Sequence, residues 1–254
     1  MMNGEGEAPG RGASPVVRFD VNERGRDFVV GDIHGMFAHL RALLGSLAFD
    51  AGADRLFSVG DLIDRGPASH EALQWLDYPW FFAVRGNHEQ FVLDSDDPEQ
   101  LDVWLRYNGG EWWITLPEDE RARFRARVGA MPLAMEVDTA SGLVGIVHAD
   151  IPPIVTWDEF VLKLERGDRD ATFYAMWSRN RIQGSYASSS VYGRVQRVYC
   201  GHTPTRDVLD LANVYYIDTG AVYAQDGYAD ARLTVVEIHP GEHRVHDIDT
   251  NVSV

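Results

Sequence analysis

The sequence is short of cysteine, of basic residues and of long apolar runs, and each shortage excludes a class of protein. Its one cysteine, Cys200, cannot form an intramolecular disulfide. Lys and Arg number 23 against 39 Asp and Glu, which gives a formal net charge of −16. Because nucleic-acid binding relies on a basic surface, we expect no nucleic-acid partner. Apolar runs stay below the ~18 residues of a membrane span, so we expect no membrane association.

The beginning of the chain is rich in Gly, Pro and Glu and lacks the apolar centre of a secretory signal. Such a composition buries little surface, so we expect residues 1–26 to form a flexible tail. The chain has 254 residues, which suits one α/β unit, and residues 27–254 are predicted to form a single domain. Without a signal or a membrane span, a cytoplasmic location is expected. Nothing in the sequence indicates an oligomeric state.

Apolar runs alternate with helical patterns through the first third of the chain. The runs at 28–30, 55–59 and 80–84 each stop at a polar turn. Between the first two, apolar residues spaced three or four apart predict a helix over 37–47. Strand–helix–strand repeats of this kind predict an α/β fold with parallel neighbouring strands.

The rest of the chain contains further strands and one long helical region. Strands are predicted at 143–147, 197–200, 214–217 and 233–238. The segment 90–127 has a mainly helical pattern, and its tryptophans Trp104, Trp112 and Trp113 are expected in the core. Residues 152–195 are predicted to form a long irregular connection, which is uncommon unless the loop has a function.

Five apolar runs each end on polar side chains of types that can bind metal ions. These side chains are Asp32 with His34, Asp61, Asn87 with His88, His148, and His202. Because ligands bind beyond the carboxyl ends of strands in open α/β sheets, we expect the five ends to converge. Any one of these residues alone is most simply an ordinary polar turn residue, whereas the full set predicts a metal site.

The donors in this set are nitrogen and oxygen, without sulfur, and they restrict the choice of metal. Imidazoles beside carboxylate and amide oxygens suit Mn²⁺, Fe or Zn²⁺ rather than Ca²⁺ or Cu(I). Six or more ligands are too many for one four-coordinate zinc, so two metals ~3.5–4 Å apart that share a bridging carboxylate are expected. Two such ions would convert a bridging water into hydroxide near neutral pH.

Three sequence blocks resemble those of a known family. Gly31–Gly35 (GDIHG), Gly60–Gly66 (GDLIDRG) and Arg85–Glu89 (RGNHE) match, in order, the signature blocks of the PPP-type serine/threonine protein phosphatases of the calcineurin-like metallophosphoesterase superfamily. The chain is most similar to the bacterial and bacteriophage-lambda-type branch, through segments at 148–150, 177–179, 201–204 and 217–221. The resemblance covers roughly residues 27–222.

The resemblance implies the fold, the cofactor and the metal ligands. The implied fold is α/β (α+β), a two-layer mixed β-sandwich flanked by helices, with a dinuclear metal site at the strand ends. The implied cofactor is a pair of divalent ions, Mn²⁺ in the first place, with Fe or Zn²⁺ as alternatives. The implied ligands are Asp32 and His34 for the first ion, Asn87, His148 and His202 for the second, and Asp61 as the bridge.

The resemblance also implies which residues act on the phosphate ester. His88 is expected to be the general acid that protonates the leaving alkoxide, steadied by Asp64. A carboxylate behind a working imidazole commonly fixes its tautomer and angle. The residues expected to hold the phosphate are Arg65, Arg85 and Arg179, since a guanidinium group can donate two parallel hydrogen bonds to phosphate oxygens.

Some positions leave alternatives open or depart from the eukaryotic members. Arg181 and Arg194 lie in the same connection as Arg179, and either could complete the phosphate site in its place. Asp150 is expected either to orient His148 or to be solvated. The long C-terminal region of the eukaryotic enzymes is missing, and His-Ala-Asp stands where they carry His-Gly-Gly. Their regulatory-subunit recognition is therefore not carried over.

The function that the resemblance implies is hydrolysis of phospho-Ser and phospho-Thr, with phospho-Tyr as a further substrate, by attack of a metal-bridging hydroxide. The partners would be phosphorylated proteins or peptides. The alternative within the superfamily is a bis(5'-nucleosyl)-tetraphosphate hydrolase, for which the aromatic stretch 104–113 would supply a pocket for bases. A metal-dependent nuclease is disfavoured by the net charge of −16. A non-catalytic scaffold is disfavoured because every ligand and the acid are present.

Overall fold

The computed structural model describes residues 14–186 and 189–254, and within them the strands form two mixed sheets. In order across the sheet, the first contains β1 (Val16–Phe19), β5 (Ala134–Thr139), β6 (Gly142–Val147), β7 (Val195–Cys200), β9 (Val214–Tyr216) and β8 (Leu209–Leu211). The second contains β11 (Arg244–Asp249), β10 (Arg232–His239), β2 (Asp27–Val30), β3 (Arg55–Ser58) and β4 (Phe81–Ala83). The neighbours β2, β3 and β4 are parallel, as predicted.

Helices connect the strands on both sides of the molecule. They are α1 (Phe37–Ser46), α2 (Ala72–Asp77), α3 (Asn87–Asp94), α4 (Pro98–Tyr107), α5 (Glu111–Thr115), α6 (Glu118–Gly129), α7 (Trp157–Glu165) and α8 (Arg169–Trp177), with 3₁₀ turns at Ser69–Glu71 and Ala221–Asp226. The helical pattern predicted for 90–127 is confirmed by α3 to α6. Within the described residues, no helix is long and apolar enough to cross a membrane.

The alternation of side chains along the strands produces the layers of the core. Phe28 and Val30 of β2 pack against helices α1 to α6, whereas Val29 between them packs against the first sheet. The other face of the first sheet packs on α7 and α8 through residues such as Val147 and Trp157. A two-residue period is what a strand requires to face two layers at once. The prediction of a β-sandwich flanked by helices is therefore confirmed.

The predicted boundary of the flexible tail is wrong, because β1 lies inside it. This strand pairs in parallel with β5, and its Val16 and Phe19 are buried. The Phe19 ring packs edge-on against Phe57 at 5.0 Å and Phe82 at 4.6 Å, between the two sheets. Of the predicted tail, residues 1–13 lie outside the described residues. The ordered fold thus begins well before residue 27.

The predicted irregular connection over 152–195 is also wrong, because it contains α7 and α8. A sequence signal for α7 was present: Thr156 and Glu159 cap each other at the start of the helix. Strands β5, β8 and β11 were not predicted. In β11, polar residues alternate along an exposed edge strand, so its apolar content is too low to identify it.

Candidate active site

The predicted metal ligands lie where strands of both sheets end. Asp32 and His34 follow β2, Asp61 follows β3 and Asn87 begins α3 after β4, all from the second sheet. His148 and His202 follow β6 and β7 of the first sheet. All six side chains are buried, with exposures between 0% and 5%. The edge where the two sheets meet therefore brings together all of the predicted ligands.

Two groups of side chains in this cluster have the spacing of metal sites. The first is His34, Asp61 and His88, and the second is Asp61, His148 and His202. Within each group the ligand atoms lie within 4.8 Å of one another. The Asp61 Oδ2 atom is 3.7 Å from His34 Nε2, and its Oδ1 atom is 3.4 Å from His148 Nε2. One carboxylate thus faces both groups.

Three histidines of the cluster are each held through one ring nitrogen by a backbone carbonyl. The contacts are His34 Nδ1 to Ile63 O at 2.7 Å, His148 Nδ1 to Val59 O at 2.8 Å, and His202 Nε2 to Trp177 O at 3.2 Å. A nitrogen facing a carbonyl must carry the hydrogen, so the other nitrogen of each neutral ring keeps its lone pair. Burial lowers the pKa of His34 to about 3 and that of His202 to about 2, which keeps both rings neutral. Neutral rings anchored in this way are suited to bind a metal.

The acceptor atoms around Asn87 need a cation between them. Its Oδ1 atom lies 2.9 Å from His148 Nε2 and 2.8 Å from His202 Nδ1. The two ring nitrogens are 3.2 Å apart. Because their partner nitrogens donate to carbonyls, all three of these buried atoms are acceptors facing one another. A divalent ion satisfies such a group, and the residues present therefore fit a metal.

The buried carboxylates of Asp32 and Asp61 also require positive charge nearby. The Asp32 carboxylate accepts a hydrogen bond from His202 N at 3.0 Å. Burial and the neighbouring carboxylates of Asp218 and Asp61 raise the pKa of Asp32 well above its ordinary value. Burial opposes ionisation of Asp61 as well, but the facing imidazoles, among them the protonated ring of His88, hold its pKa below the ordinary value. Bound cations would keep both side chains ionised.

Backbone strain is concentrated in the same place. His34, Asp61, Asp64, Arg65 and His202 have φ angles of 44°, 51°, 75°, 62° and 70°. Side chains other than glycine rarely adopt this left-handed region, and non-glycine residues there typically cost of order 1–3 kcal/mol each. The fold maintains these conformations and so aims the side chains into the cluster.

His88 has a different partner from the three carbonyl-anchored histidines. Its Nδ1 atom lies 2.6 Å from Asp64 Oδ2, and its Nε2 atom faces the cluster, 3.8 Å from Asp61 Oδ2. Burial alone would lower the pKa of His88, but the carboxylates of Asp61 and Asp64 outweigh it and the pKa is raised. The geometry places a proton-carrying imidazole next to the predicted metal ligands.

Two of the tryptophans that were predicted to lie in the core hold Asp64. Trp104 Nε1 donates to Asp64 Oδ2, and Trp112 Nε1 donates to Asp64 Oδ1, each at 2.6 Å. Trp104 is buried as predicted, yet its N–H also fixes the carboxylate that contacts His88. The helical pattern of α4 and α5 indicated packing, and nothing in the spacing of the tryptophans indicated this second role.

Glu89 is a further residue to which the sequence analysis gave no role. Its carboxylate accepts backbone N–H groups of Gly86, Asp61 and Leu62 at 2.8 to 2.9 Å. Burial and the charge of Asp61 raise its pKa to about 7. Glu89 ties the turn after β3 to the turn after β4, and the RGNHE block was the available signal.

The arginines predicted to bind phosphate surround the cluster. Arg65 is exposed, with Nη1 3.3 Å from His34 Nε2 and 3.1 Å from Tyr223 Oη. Arg179 is also exposed and donates to the carbonyl of His202 at 3.5 Å. Arg85 is largely buried, which lowers its pKa, and its Nε atom has no hydrogen-bond partner among the described residues.

The two competing arginines have partners elsewhere. Arg181 is buried and its Nε atom lies 3.1 Å from Asp150 Oδ1. Arg194 is paired with Asp158 at 2.5 Å. Of the three candidates, Arg179 is therefore the one that lies at the cluster.

Both alternatives for Asp150 are wrong. It is fully buried, so it is not solvated. Its carboxylate accepts hydrogen bonds from Arg181 and from the Tyr186 hydroxyl at 2.6 Å, whereas His148 is oriented by the Val59 carbonyl. Asp150 thus holds the loop that carries Arg179, rather than a ring of the cluster.

The fold and the converging ligands define a metallophosphoesterase. The sequence profile of the calcineurin-like phosphoesterase family matches residues 28–206, and the chain belongs to this family. A relative from Salmonella typhimurium, named serine/threonine-protein phosphatase 1, is 39% identical over 199 residues, which are 77% of this chain and 87% of its own. The chain is a hydrolase of phosphate esters, and the resemblance to the bacterial PPP-type phosphatases is confirmed.

Other similar proteins carry a second name. A relative from Serratia proteamaculans, named bis(5'-nucleosyl)-tetraphosphatase, symmetrical, is 40% identical over 160 residues, which are 54% of this chain and 53% of its own. A solved structure assigned provisionally as a diadenosine tetraphosphatase has a TM-score of 0.65 at 22% identity, over 93% of this chain and 98% of its own. At that identity the structural similarity supports the fold alone.

Proposed function

We propose that the protein is a metal-dependent phosphatase that removes phosphate from Ser and Thr side chains of proteins or peptides, with phospho-Tyr as a further substrate. The observation that carries this proposal is the His88–Asp64 pair directed at a cluster of buried metal-ligand atoms. A positioned acid is needed most where the leaving group is an alkoxide, as it is from phosphoserine. The relative named a serine/threonine phosphatase supports the same substrate class.

The ligand set is proposed to hold two divalent ions. Asp32 and His34 would bind the first, Asn87, His148 and His202 the second, and Asp61 both. When bound, such ions neutralise phosphate charge and lower the pKa of a coordinated water. We propose Mn²⁺ as the metal and the cytoplasm as the location.

The protein side chains supply positioning and a proton. Arg65, Arg85 and Arg179 border the cluster and would hold the phosphate oxygens as guanidinium donors. His88 would transfer the proton on Nε2 to the departing serine or threonine oxygen as the P–O bond breaks. Asp64 stabilises the imidazolium before the transfer and keeps Nδ1 protonated afterwards.

Hydrolysis of bis-nucleoside tetraphosphates is the second candidate, favoured by the relative of that name. The three tryptophans of the stretch that the sequence suggested for a base pocket give it little support, and Tyr107 is its exposed aromatic ring. Trp104 and Trp113 are buried, and the Trp112 indole donates to Asp64, so these rings are not arranged to stack a base. The peptide substrate therefore remains the better supported of the two.

Parallel kinetics on two substrates test the choice. Purified protein supplied with Mn²⁺ is assayed with a phosphoserine peptide and with a dinucleoside tetraphosphate. We expect a higher kcat/KM for the peptide. A higher value for the dinucleotide would reverse the assignment, and an absence of turnover of both by fully metallated protein would support a non-catalytic scaffold.

A further inference from the structure

A pocket of about 450 Å³ opens directly beside the candidate active site. Tyr223 lines it, and the hydroxyl of Tyr223 also contacts Arg65 at 3.1 Å. On another side the pocket is lined by Pro204, two residues beyond His202. Its volume falls in the range of about 300–1,000 Å³ typical of ligand sites. A substrate whose phosphate lies at Arg65 would therefore extend past this pocket.

Two tyrosine rings form the mouth of the pocket. The rings of Tyr223 and Tyr228 lie 5.6 Å apart and are tilted by 59°. Tyr228 N donates to Tyr223 O at 3.1 Å, which fixes the two residues relative to each other. Tyr228 is nevertheless 64% exposed, and Pro204 beside it is exposed too. Binding an apolar side chain against this exposed surface would be favourable, because it removes apolar area from water.

The rim of the pocket is acidic. Arg206 is compensated by Asp230, 3.3 Å away, and both line the pocket. An adjoining pocket of about 200 Å³ contains Asp230 together with Asp207 and Asp249. Its other arginine, Arg232, is paired with Asp207 at 2.6 Å. The two linings together contain three aspartates and two arginines, an excess of one negative charge, which disfavours a polyphosphate chain and favours a basic group.

We propose that this pocket is a subsite for the substrate peptide, which binds an apolar side chain one or two positions from the phosphorylated residue. A basic side chain further along would lie beside Asp207, Asp230 and Asp249. Neighbouring residues of an extended peptide are spaced by about 3.3–3.6 Å. The pocket is close enough for a side chain one or two positions away, because Tyr223 both lines the pocket and contacts Arg65. The inference rests on the proposed phosphatase function and names the sequence that the enzyme prefers.

The test compares two phosphoserine peptides with p-nitrophenyl phosphate, which is too small to fill the pocket. One peptide carries leucine on both sides of the phosphoserine and arginine beyond each leucine, and the other carries aspartate at all four positions. The unsubstituted enzyme should prefer the leucine–arginine peptide by about tenfold or more in kcat/KM.

The substitution Tyr228→Ala should lower kcat/KM for the leucine–arginine peptide by about tenfold, mainly because KM rises. This loss should be at least about five times larger than the loss for p-nitrophenyl phosphate. The matched control is Tyr192→Ala, a tyrosine that is 72% exposed outside the pocket. Tyr192→Ala should leave both rates unchanged.

Two results would overturn the subsite while leaving the phosphatase function intact. One is equal turnover of the two peptides. The other is a loss on Tyr228→Ala that is the same for the peptide and for p-nitrophenyl phosphate. If Tyr228→Ala slows a dinucleoside tetraphosphate instead of the peptide, the occupant is a nucleoside and the proposal is wrong. Failure to hydrolyse any phosphomonoester would remove the proposed function, and the subsite with it.

Discussion

Individual histidines of the cluster are distinguished by what their second nitrogen contacts. His34, His148 and His202 each face a backbone carbonyl, which fixes a neutral tautomer. His88 faces the carboxylate of Asp64, which favours a charged ring. The sequence identified all four as strand-end residues, and the resemblance paired His88 with Asp64. Only the structure shows the carbonyl partners of the other three. This difference gives His88 the chemistry of an acid, although it is also grouped with His34 and Asp61.

Replacing this acid should affect substrates according to their leaving groups. We expect His88→Asn to lower kcat for a phosphoserine peptide by ~10²–10⁴-fold and to lower that for p-nitrophenyl phosphate far less, because a nitrophenolate leaves without a proton. The metal content of the variant should match that of the unsubstituted protein by elemental analysis. Equal losses on both substrates, or a missing metal ion, would make His88 a ligand instead.

The indole N–H groups on Asp64 give a second prediction. Trp112→Phe removes one of the donors that hold Asp64 while keeping a ring in place. We expect kcat for the phosphoserine peptide to fall by about threefold to thirtyfold, with a smaller change for p-nitrophenyl phosphate, since the loss acts through His88. The control is Trp113→Phe, a buried neighbour in the same aromatic cluster that has no hydrogen bond to Asp64 among the described residues. The same losses for both variants, or no leaving-group dependence, would contradict a positioning role.

The sequence predicted some strands well and missed others. Strands β2, β3, β6 and β7 are apolar runs that stop at ligands, because buried central strands must be apolar on both faces. Strand β1 is four residues long and lies in a polar region, so its role depends on pairing with β5, far away in sequence. A distant partner leaves no local pattern. The same holds for Asp150, whose loop-holding role depends on Arg181 and Tyr186.

The stability of the sandwich should depend on β1. Phe19→Ala deletes a ring packed between the two sheets, and burial of this kind typically makes such a change cost about 3–5 kcal/mol of unfolding free energy. Val21→Ala, just after the strand and 43% exposed, is the control and should cost less than about 0.5 kcal/mol. Denaturant unfolding of both variants measures the difference. A Phe19→Ala protein as stable as its control would show that β1 does not contribute to the core.

The whole molecule is two sheets packed face to face, with the ligand cluster at one edge, where strands of both sheets end. Asp32, His34 and Asp61 come from the second sheet, and His148 and His202 come from the first. A net charge of −16 and buried carboxylates at the centre make this edge electrostatically costly without cations. Metal binding should therefore stabilise the fold as well as the reaction, because it links the sheets and neutralises that charge.

Metal removal tests this coupling with two independent measurements. Prolonged dialysis against a strong chelator should abolish phosphatase activity and lower the Tm, since a ligand present at 100 times its Kd stabilises the native state by about 2.7 kcal/mol. Mn²⁺ should restore both quantities better than Mg²⁺, which binds imidazole-rich sites poorly.

Asp61→Asn should lose most of the Mn²⁺-dependent rise in Tm, because this carboxylate faces both groups of ligands. Asp210→Asn, an exposed carboxylate of β8, should keep that rise in full. Full activity after chelation would refute a metal-dependent reaction, whereas an unchanged Tm with lost activity would show that the two sheets hold together without the ions.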